Sequence, residues 1–262
     1  MKRAVLQAGS AVMKRFRKEV RSWQKEDASP VSEADHEANN ILYEYLVASH
    51  DISYGYLSEE SSDDKKRLHA ERTWIVDPID GTRAFLRGDP HFTICVALIE
   101  GDKALTSAVY NPATEEFFEA TAGQGAKLND EVLSTSPQCS LENCTMLGNK
   151  QMFEHKGWPQ SWPAMRIEQR NSTNYRLALV ATGQFDASLA IARKADWDLA
   201  PGALIAQEAG ALVSDHTGAE YRYNREEPAQ RSLVCAAPGL YTELFNRVSH
   251  LPANFTDKPL QA

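Results

Sequence analysis

The stretch Asp77-Pro78-Ile79-Asp80-Gly81-Thr82 follows directly on Thr73-Trp74-Ile75-Val76, whose β-branched and aromatic side chains predict a short strand halted by Asp77-Pro78. Two carboxylates three residues apart, with a rigid proline between them, can turn to the same side of a strand-to-helix junction. Gly81 permits close backbone approach, and a helix opening near Thr82 presents free N–H groups to an anion. Oxygen ligands for a hard cation beside N–H donors for a phosphate describe a metal-assisted phosphoryl site. Asp-Pro and Asp-Gly are also ordinary turn dipeptides, so the hexapeptide alone serves either reading.

Upstream, Val5, Ala8, Val12 and Phe16 share one face of an amphipathic helix, with Lys14, Arg15, Arg17 and Lys18 elsewhere. A turn is expected at Asp27-Ala28-Ser29-Pro30. Ser32 reads as the cap of a second helix, with Glu33 and Asp35 in its first turn and Ala38, Ile41, Leu42, Tyr45 and Leu46 on its buried face. Ser58 to Arg72 reads as a charged polar loop. Downstream, Phe92–Ile99 and Ala104–Tyr110 are strands joined through Glu100-Gly101-Asp102-Lys103, and Glu116–Ala120 is another. Ser134 to Arg170 reads as irregular. The junction between an N-terminal α+β half, 1–135, and a C-terminal α/β half, 136–262, therefore falls near its start, the two forming one compact unit. Helices over Tyr175–Thr182 and Asp196–Ala209 then alternate with strands at Ala187–Ala192, Leu212-Val213 and Leu233–Ala236. Asp196, at a helix start, reads as a cap and dipole partner.

The chain has 262 residues, with 28 basic against 36 acidic side chains and a net charge of −8. No apolar run approaches the roughly 20 residues that span a bilayer, and the N-terminus has no uninterrupted apolar core, which weighs against membrane and export. Cys95, Cys139, Cys144 and Cys235 lack metal spacing, and the seven histidines are scattered singly, which argues for a reduced, cytoplasmic protein without zinc. A pI near 5.4 makes a broad grip on nucleic acid improbable. The same acidity reads, by itself, as hostile to phosphorylated substrates.

Two further segments complete a pattern: Leu57-Ser58-Glu59-Glu60-Ser61 ahead of the hexapeptide, and Asp196-Trp197-Asp198 far behind it. In this order they resemble the inositol monophosphatase superfamily of magnesium-dependent, lithium-sensitive phosphatases, in its extragenic-suppressor and bisphosphate-nucleotidase-like bacterial branch. The resemblance runs from about Ser29 to Cys235. It implies a layered αβαβα sandwich of the sugar-phosphatase type, a homodimer, and two or three Mg²⁺ ions per chain. By position, Glu59, Asp77 and the Ile79 carbonyl match ligands of the first ion, while Asp77, Asp80 and Asp198 match those of the second. Glu59 would serve a third. Glu60 matches a solvated or outer residue. Asp35 matches the acid that holds a catalytic threonine, here Thr82, and Gly81, Thr82, Asp80, Asp198 and Arg176 fall at substrate contacts. The implied reaction is in-line hydrolysis of a small phosphomonoester by metal-activated water, with Glu59 and Thr82 orienting it. The bound ions reverse the reading of the charge, since three Mg²⁺ outweigh the five site carboxylates.

Departures from the pattern bear mainly on substrate. Ser58 stands where the family has Gly, and Ala211 where a second Gly is common. Seven residues before Asp198, inositol monophosphatases carry a Glu that binds ring hydroxyls, whereas this chain has Ile191. Arg83 and Arg176 lie near positions where bisphosphate nucleotidases place basic residues; both also read as surface arginines. Inositol monophosphate, a bisphosphorylated nucleotide and a histidinol or sugar phosphate all remain open as substrates. A regulatory role in transcription or RNA complexes, as in the suppressor branch, is the alternative of another class.

Overall fold

Val5, Ala8 and Val12, spaced as one helical face, are all buried in α1 (Lys2–Arg15). The sequence predicts this face, and the computed structural model of the chain describes residues 1–25, 28–49 and 53–252. Helix α1 packs on α2 (Glu33–Tyr43). The second helix begins as its sequence predicts, for Ser32 Oγ accepts from the Ala34 N–H at 3.2 Å and Asp35 Oδ2 accepts from the Ser32 N–H at 2.8 Å. Between the helices, β1 (Ser22–Gln24) and β2 (Pro30–Ser32) pair antiparallel, where the sequence suggests only a turn. Asp27, in that expected turn, lies outside the described residues.

Among the described residues seven strands form the first sheet, in the order β3 (Gly55–Ser58), β4 (Arg72–Asp80), β5 (Thr93–Glu100), β6 (Lys103–Asn111), β7 (Glu116–Thr121), β8 (Ala126–Leu128) and β9 (Glu131–Val132). The β3–β4 pair is parallel and the others antiparallel. Strand β4 does not stop at Asp77-Pro78, as expected, but re-pairs Asp80 with Thr93 after an irregularity in register. Proline cannot donate to a ladder, and a bulge accommodates it while re-aiming the flanking side chains. The charged segment Ser58–Arg72 is also more than a solvated loop. It contains a 3₁₀ turn at Lys66–His69 whose Arg67 is buried, paired with Asp63 and bonded to Asn224 Oδ1 and the Arg225 carbonyl. The guanidinium's five donors make that burial tolerable.

The chain continues through α3 (Thr82–Arg87), β10 (Thr145–Leu147), α4 (Lys150–Glu154), β11 (Arg166–Glu168) and α5 (Thr173–Ala181). The segment expected to be irregular thus holds two strands and a short helix, each too brief for periodicity to reveal. Next come β12 (Ala187–Ala190), β13 (Lys194–Ala195), α6 (Asp196–Glu208), β14 (Leu212–Ser214), β15 (Ala229–Gln230), β16 (Leu233–Ala236) and α7 (Pro238–Val248). A second sheet has the order β11-β10-β12-β16-β14, and β13 pairs separately with β15.

Period-two alternation along the first sheet decides the layering. Trp74, Val76, Ile94 and Val96 join the apolar cluster of α1 and α2, whereas Ile75, Cys95 and Ala97 join that of α5 and α6. The second sheet contributes Leu147, Leu233 and Cys235 to the α5/α6 cluster, and turns Met146, Val234 and Ala236 towards α7. Helices therefore cover both faces of two sheets, in the order αβαβα. Cys95, Cys144 and Cys235 are buried free thiols within these layers. Among the described residues no helix is long and apolar enough to cross a membrane.

Candidate metal centre

Asp77 and Asp80 leave the irregular end of β4, and Asp198 enters from the first turn of α6. A carboxylate oxygen from each lies within 4.8 Å of the other two. Asp77 is 1% exposed, and its Oδ1 accepts from the Ile79 N–H at 3.1 Å. Asp80 caps the opening of α5 from outside, accepting from Ser172 Oγ at 2.8 Å, the Asn174 N–H at 2.7 Å and Asn174 Nδ2 at 3.0 Å. Asp198 Oδ2 accepts from the Ala195 N–H at 3.0 Å. That bond is the helix cap; Asp196, expected to cap, instead accepts from Gln230 Nε2 and the Asn224 N–H and ties α6 to the segment before β16.

Glu59 follows β3 and is not part of that tight triad. Its Oε1 accepts from Lys25 Nζ at 2.7 Å, and Glu60 Oε1 accepts from the same ammonium at 2.6 Å. The Glu60 side chain is 4% exposed, which rules out the solvated of the two expected readings and leaves that of an outer residue. Lys25 carried no sequence signal, being one of several bases between two helices.

Gly81 links the acids to α3 with φ +100°, where an added Cβ would stand 2.9 Å from the His91 carbonyl oxygen. Only glycine fits both demands. The next residue, Thr82, opens α3 with its Oγ1 at 3.0 Å from Asp35 Oδ1 and 3.0 Å from the Ile79 carbonyl oxygen. Asp35 is itself held at the start of α2 by the N–H and hydroxyl of Ser32. The sequence-predicted Asp35, Ile79, Asp80, Gly81 and Thr82 are thus brought into one connected group with Asp77 and Asp198.

Burial, reinforced by Glu59, Asp80 and Asp198, holds the Asp77 carboxyl well above the usual carboxylate range. Burial and Asp198 raise Asp80 against the pull of the α5 donors. Burial pushes Glu59 up to about 7 despite Lys25. Crowded, desolvated oxygen donors of this kind fit a small divalent cation, which supplies the missing positive charge. The stability these groups contribute is complete below their unfolded values near pH 4 and is lost as pH rises through the folded ones. Thermal melts in EDTA are therefore expected to show a falling Tm between about pH 5 and 8, with Mg²⁺ restoring more stability as pH rises. A Tm that climbs across that window in EDTA would contradict the assignment.

Arg176 is 8% exposed and lines a cavity with Ile191 and Lys194, while Arg83 is exposed on α3 and is not part of that lining. Lys194 and the Ser172–Asn174 donors were missed by sequence reasoning. Ser172 is legible afterwards as an N-cap, and Lys194 has no local signature.

A sequence profile described as the inositol monophosphatase family matches residues 1–251. An inositol-1-monophosphatase of Rhizobium meliloti is 36% identical over 229 residues, covering 83% of this chain and 85% of its own. The Nus factor SuhB of Pasteurella multocida is 27% identical and covers 94% and 93%. Among solved structures, the extragenic suppressor protein suhB of Bartonella henselae superposes with a TM-score of 0.82 at 26% identity, covering 95% of this chain and 97% of the other.

Proposed function

This chain belongs to the inositol monophosphatase family, and from that premise we propose that it hydrolyses a small phosphomonoester of the inositol monophosphate type with Mg²⁺. The carrying observation is the convergence of Asp77, Asp80 and Asp198 beside the Thr82–Asp35 pair. Those three acids, with Glu59 and the Ile79 carbonyl, would hold two or three ions. Bound there, magnesium supplies charge for the phosphoryl oxygens and a water acidic enough to be hydroxide near neutral pH.

The chain's own groups do the remainder. Asp35 takes the Thr82 hydroxyl as a donor, which leaves the hydroxyl oxygen available to accept from the attacking water. Glu59, once Lys25 yields it, would accept that water's other proton and take it up as the hydroxide forms. The Gly81 and Thr82 N–H groups, at a helix start, face charge on the phosphoryl oxygens. Asp80, Asp198 and Arg176 border the leaving group. We extend the reading to a cytoplasmic, lithium-sensitive homodimer whose halves, 1–135 and 136–262, act as one unit.

Purified protein is expected to release phosphate from inositol 1-phosphate in Mg²⁺ and not in EDTA. Absence of release from this, a bisphosphorylated nucleotide, and histidinol phosphate would overturn the proposal. Relatives named Nus factor motivate a second reading, a regulatory role in transcription complexes. Co-purification with such complexes, undiminished when Asp77 is replaced by Asn, would favour it.

A further inference from the structure

Helix α6 carries Pro201 in its interior. Proline has no N–H, so the Trp197 carbonyl, four residues earlier, has no helical donor. That carbonyl belongs to the residue before Asp198, in the turn that delivers the third acid of the triad. Left unpaired where α5 packs on α6 it would be costly, and its donor comes from the other helix. Asn174 Nδ2, in the first turn of α5, donates to the Trp197 oxygen at 2.9 Å. The same nitrogen donates to Asp80 Oδ2 at 3.0 Å, while Asn174 Oδ1 accepts from the Gly202 N–H at 2.9 Å.

Asn174 is fully buried, and its amide has one workable orientation. The nitrogen faces two acceptors and the oxygen one donor, so a flipped amide would set oxygen against a carboxylate and a carbonyl. Gly202 permits the approach, because a Cβ there would stand 2.8 Å from the Asn174 carbonyl oxygen. The other donors to Asp80, from Ser172, Thr173 and the Asn174 backbone, all belong to the start of α5. Among the described residues the Asp198 side chain has one donor, the Ala195 N–H at the start of its own helix. None of those bonds ties one acid to the other. Two carboxylates with oxygens within 4.8 Å repel, and without a cation nothing in their own charges holds them at that spacing. Asn174 Nδ2 supplies the tie, from Asp80 to the turn that carries Asp198.

We propose that Asn174 is a positioning residue for the metal site. It fixes Asp80 against the first turn of α6, so that Asp80 and Asp198 stand at the spacing one cation needs. Pro201 keeps the Trp197 carbonyl open to it. This rests on the reading above that these acids bind Mg²⁺, and it specifies what sets their affinity.

The test follows Mg²⁺ binding to the full chain by titration calorimetry, beside melting in EDTA and phosphate release. Asn174→Ala is expected to weaken binding at one Mg²⁺ site by about tenfold or more, the scale for a group that orients a metal ligand. The Mg²⁺ concentration for half-maximal phosphate release should rise with it. The Tm in EDTA should fall by about 5 °C, since the Trp197 carbonyl loses its donor. Pro201→Ala returns a helical N–H to that carbonyl, leaves the Asn174–Asp80 bond in place and should bind Mg²⁺ as the unsubstituted chain does. Combining the two substitutions should recover much of the Tm while Mg²⁺ binding stays as weak as in Asn174→Ala. If Asn174→Ala alone fails to fold, the double variant set against Pro201→Ala carries the comparison. Unchanged Mg²⁺ affinity in Asn174→Ala, or affinity restored together with the Tm in the double variant, would reduce Asn174 to a helix contact and overturn the proposal. The phosphatase reading would then still stand on the activity of the unsubstituted chain. Mg²⁺ binding without phosphate release from any substrate named above overturns only that reading, and an unsubstituted chain that binds no Mg²⁺ overturns both.

Discussion

Replacing Asp77 with Asn is expected to lower Mg²⁺-dependent phosphate release by about three orders of magnitude, the scale of losing one strong electrostatic stabiliser. The same change should raise the metal-free Tm. The two effects have opposite signs because Asp77 is surrounded by Glu59, Asp80 and Asp198, whose charges disfavour its ionised form. Asparagine is isosteric and can keep the carbonyl oxygen that accepts from the Ile79 N–H. Removing the charge therefore relieves repulsion without opening a cavity. A gain of about 1 kcal/mol corresponds to about 2–4 °C in a chain of this size. Asp80→Asn is a less clean probe. Asp80 accepts from Ser172, Thr173 and Asn174, and an amide there would turn donors towards donors at the start of α5. Melting curves in EDTA and Mg²⁺, beside steady-state phosphate release, read both effects. Wild-type turnover in Asp77→Asn would remove Asp77 from the metal site.

Thr82→Ala is expected to reduce kcat by about a hundredfold with little change in KM, the range for losing a positioned proton-transfer partner. The hydroxyl has one proton, and both oxygens within 3.0 Å of it, Asp35 Oδ1 and the Ile79 carbonyl, are acceptors. Its own oxygen is thereby kept for accepting. Alanine also leaves Asp35 Oδ1 without its donor, although Oδ2 retains both contacts from Ser32. The stability cost should be about 1–2 kcal/mol, as for other buried acceptors left short of a partner. Thr82→Ser preserves the hydroxyl and should recover most of kcat. Denaturant melts separate the two effects. A serine variant as slow as the alanine one would show that the threonine methyl, and not its hydroxyl, carries the role.

The parts of the fold legible in the sequence are those that neighbours in the chain decide. The Ser32 cap needs only Asp35 three residues on, and the β5–β6 hairpin needs two apolar runs around Glu100–Lys103. The Gly81 turn declares itself because one residue type tolerates its backbone. Strands β10 and β11 were hidden because three residues are too few to show a period, and their pairing partners stabilise them from elsewhere. Arg67 looked like part of a solvated loop because its partners Asn224 and Arg225 lie far along the chain.

The acidic balance of −8 and the order of the acidic segments were determined by the sequence alone, and with them the family. Covalent order places Asp77, Asp80, Gly81 and Thr82 together whatever the rest of the chain does. Only the tertiary structure decided how closely Asp198, which the family pattern implies, approaches Asp77 and Asp80, that Lys25 occupies Glu59 and Glu60, and that Arg176 and Lys194 meet at one hydroxyl. Each of those contacts joins residues that are distant in sequence, and no local propensity encodes them. They exist because the layers bury their apolar faces against one another, and that burial carries the charged groups between them to fixed positions.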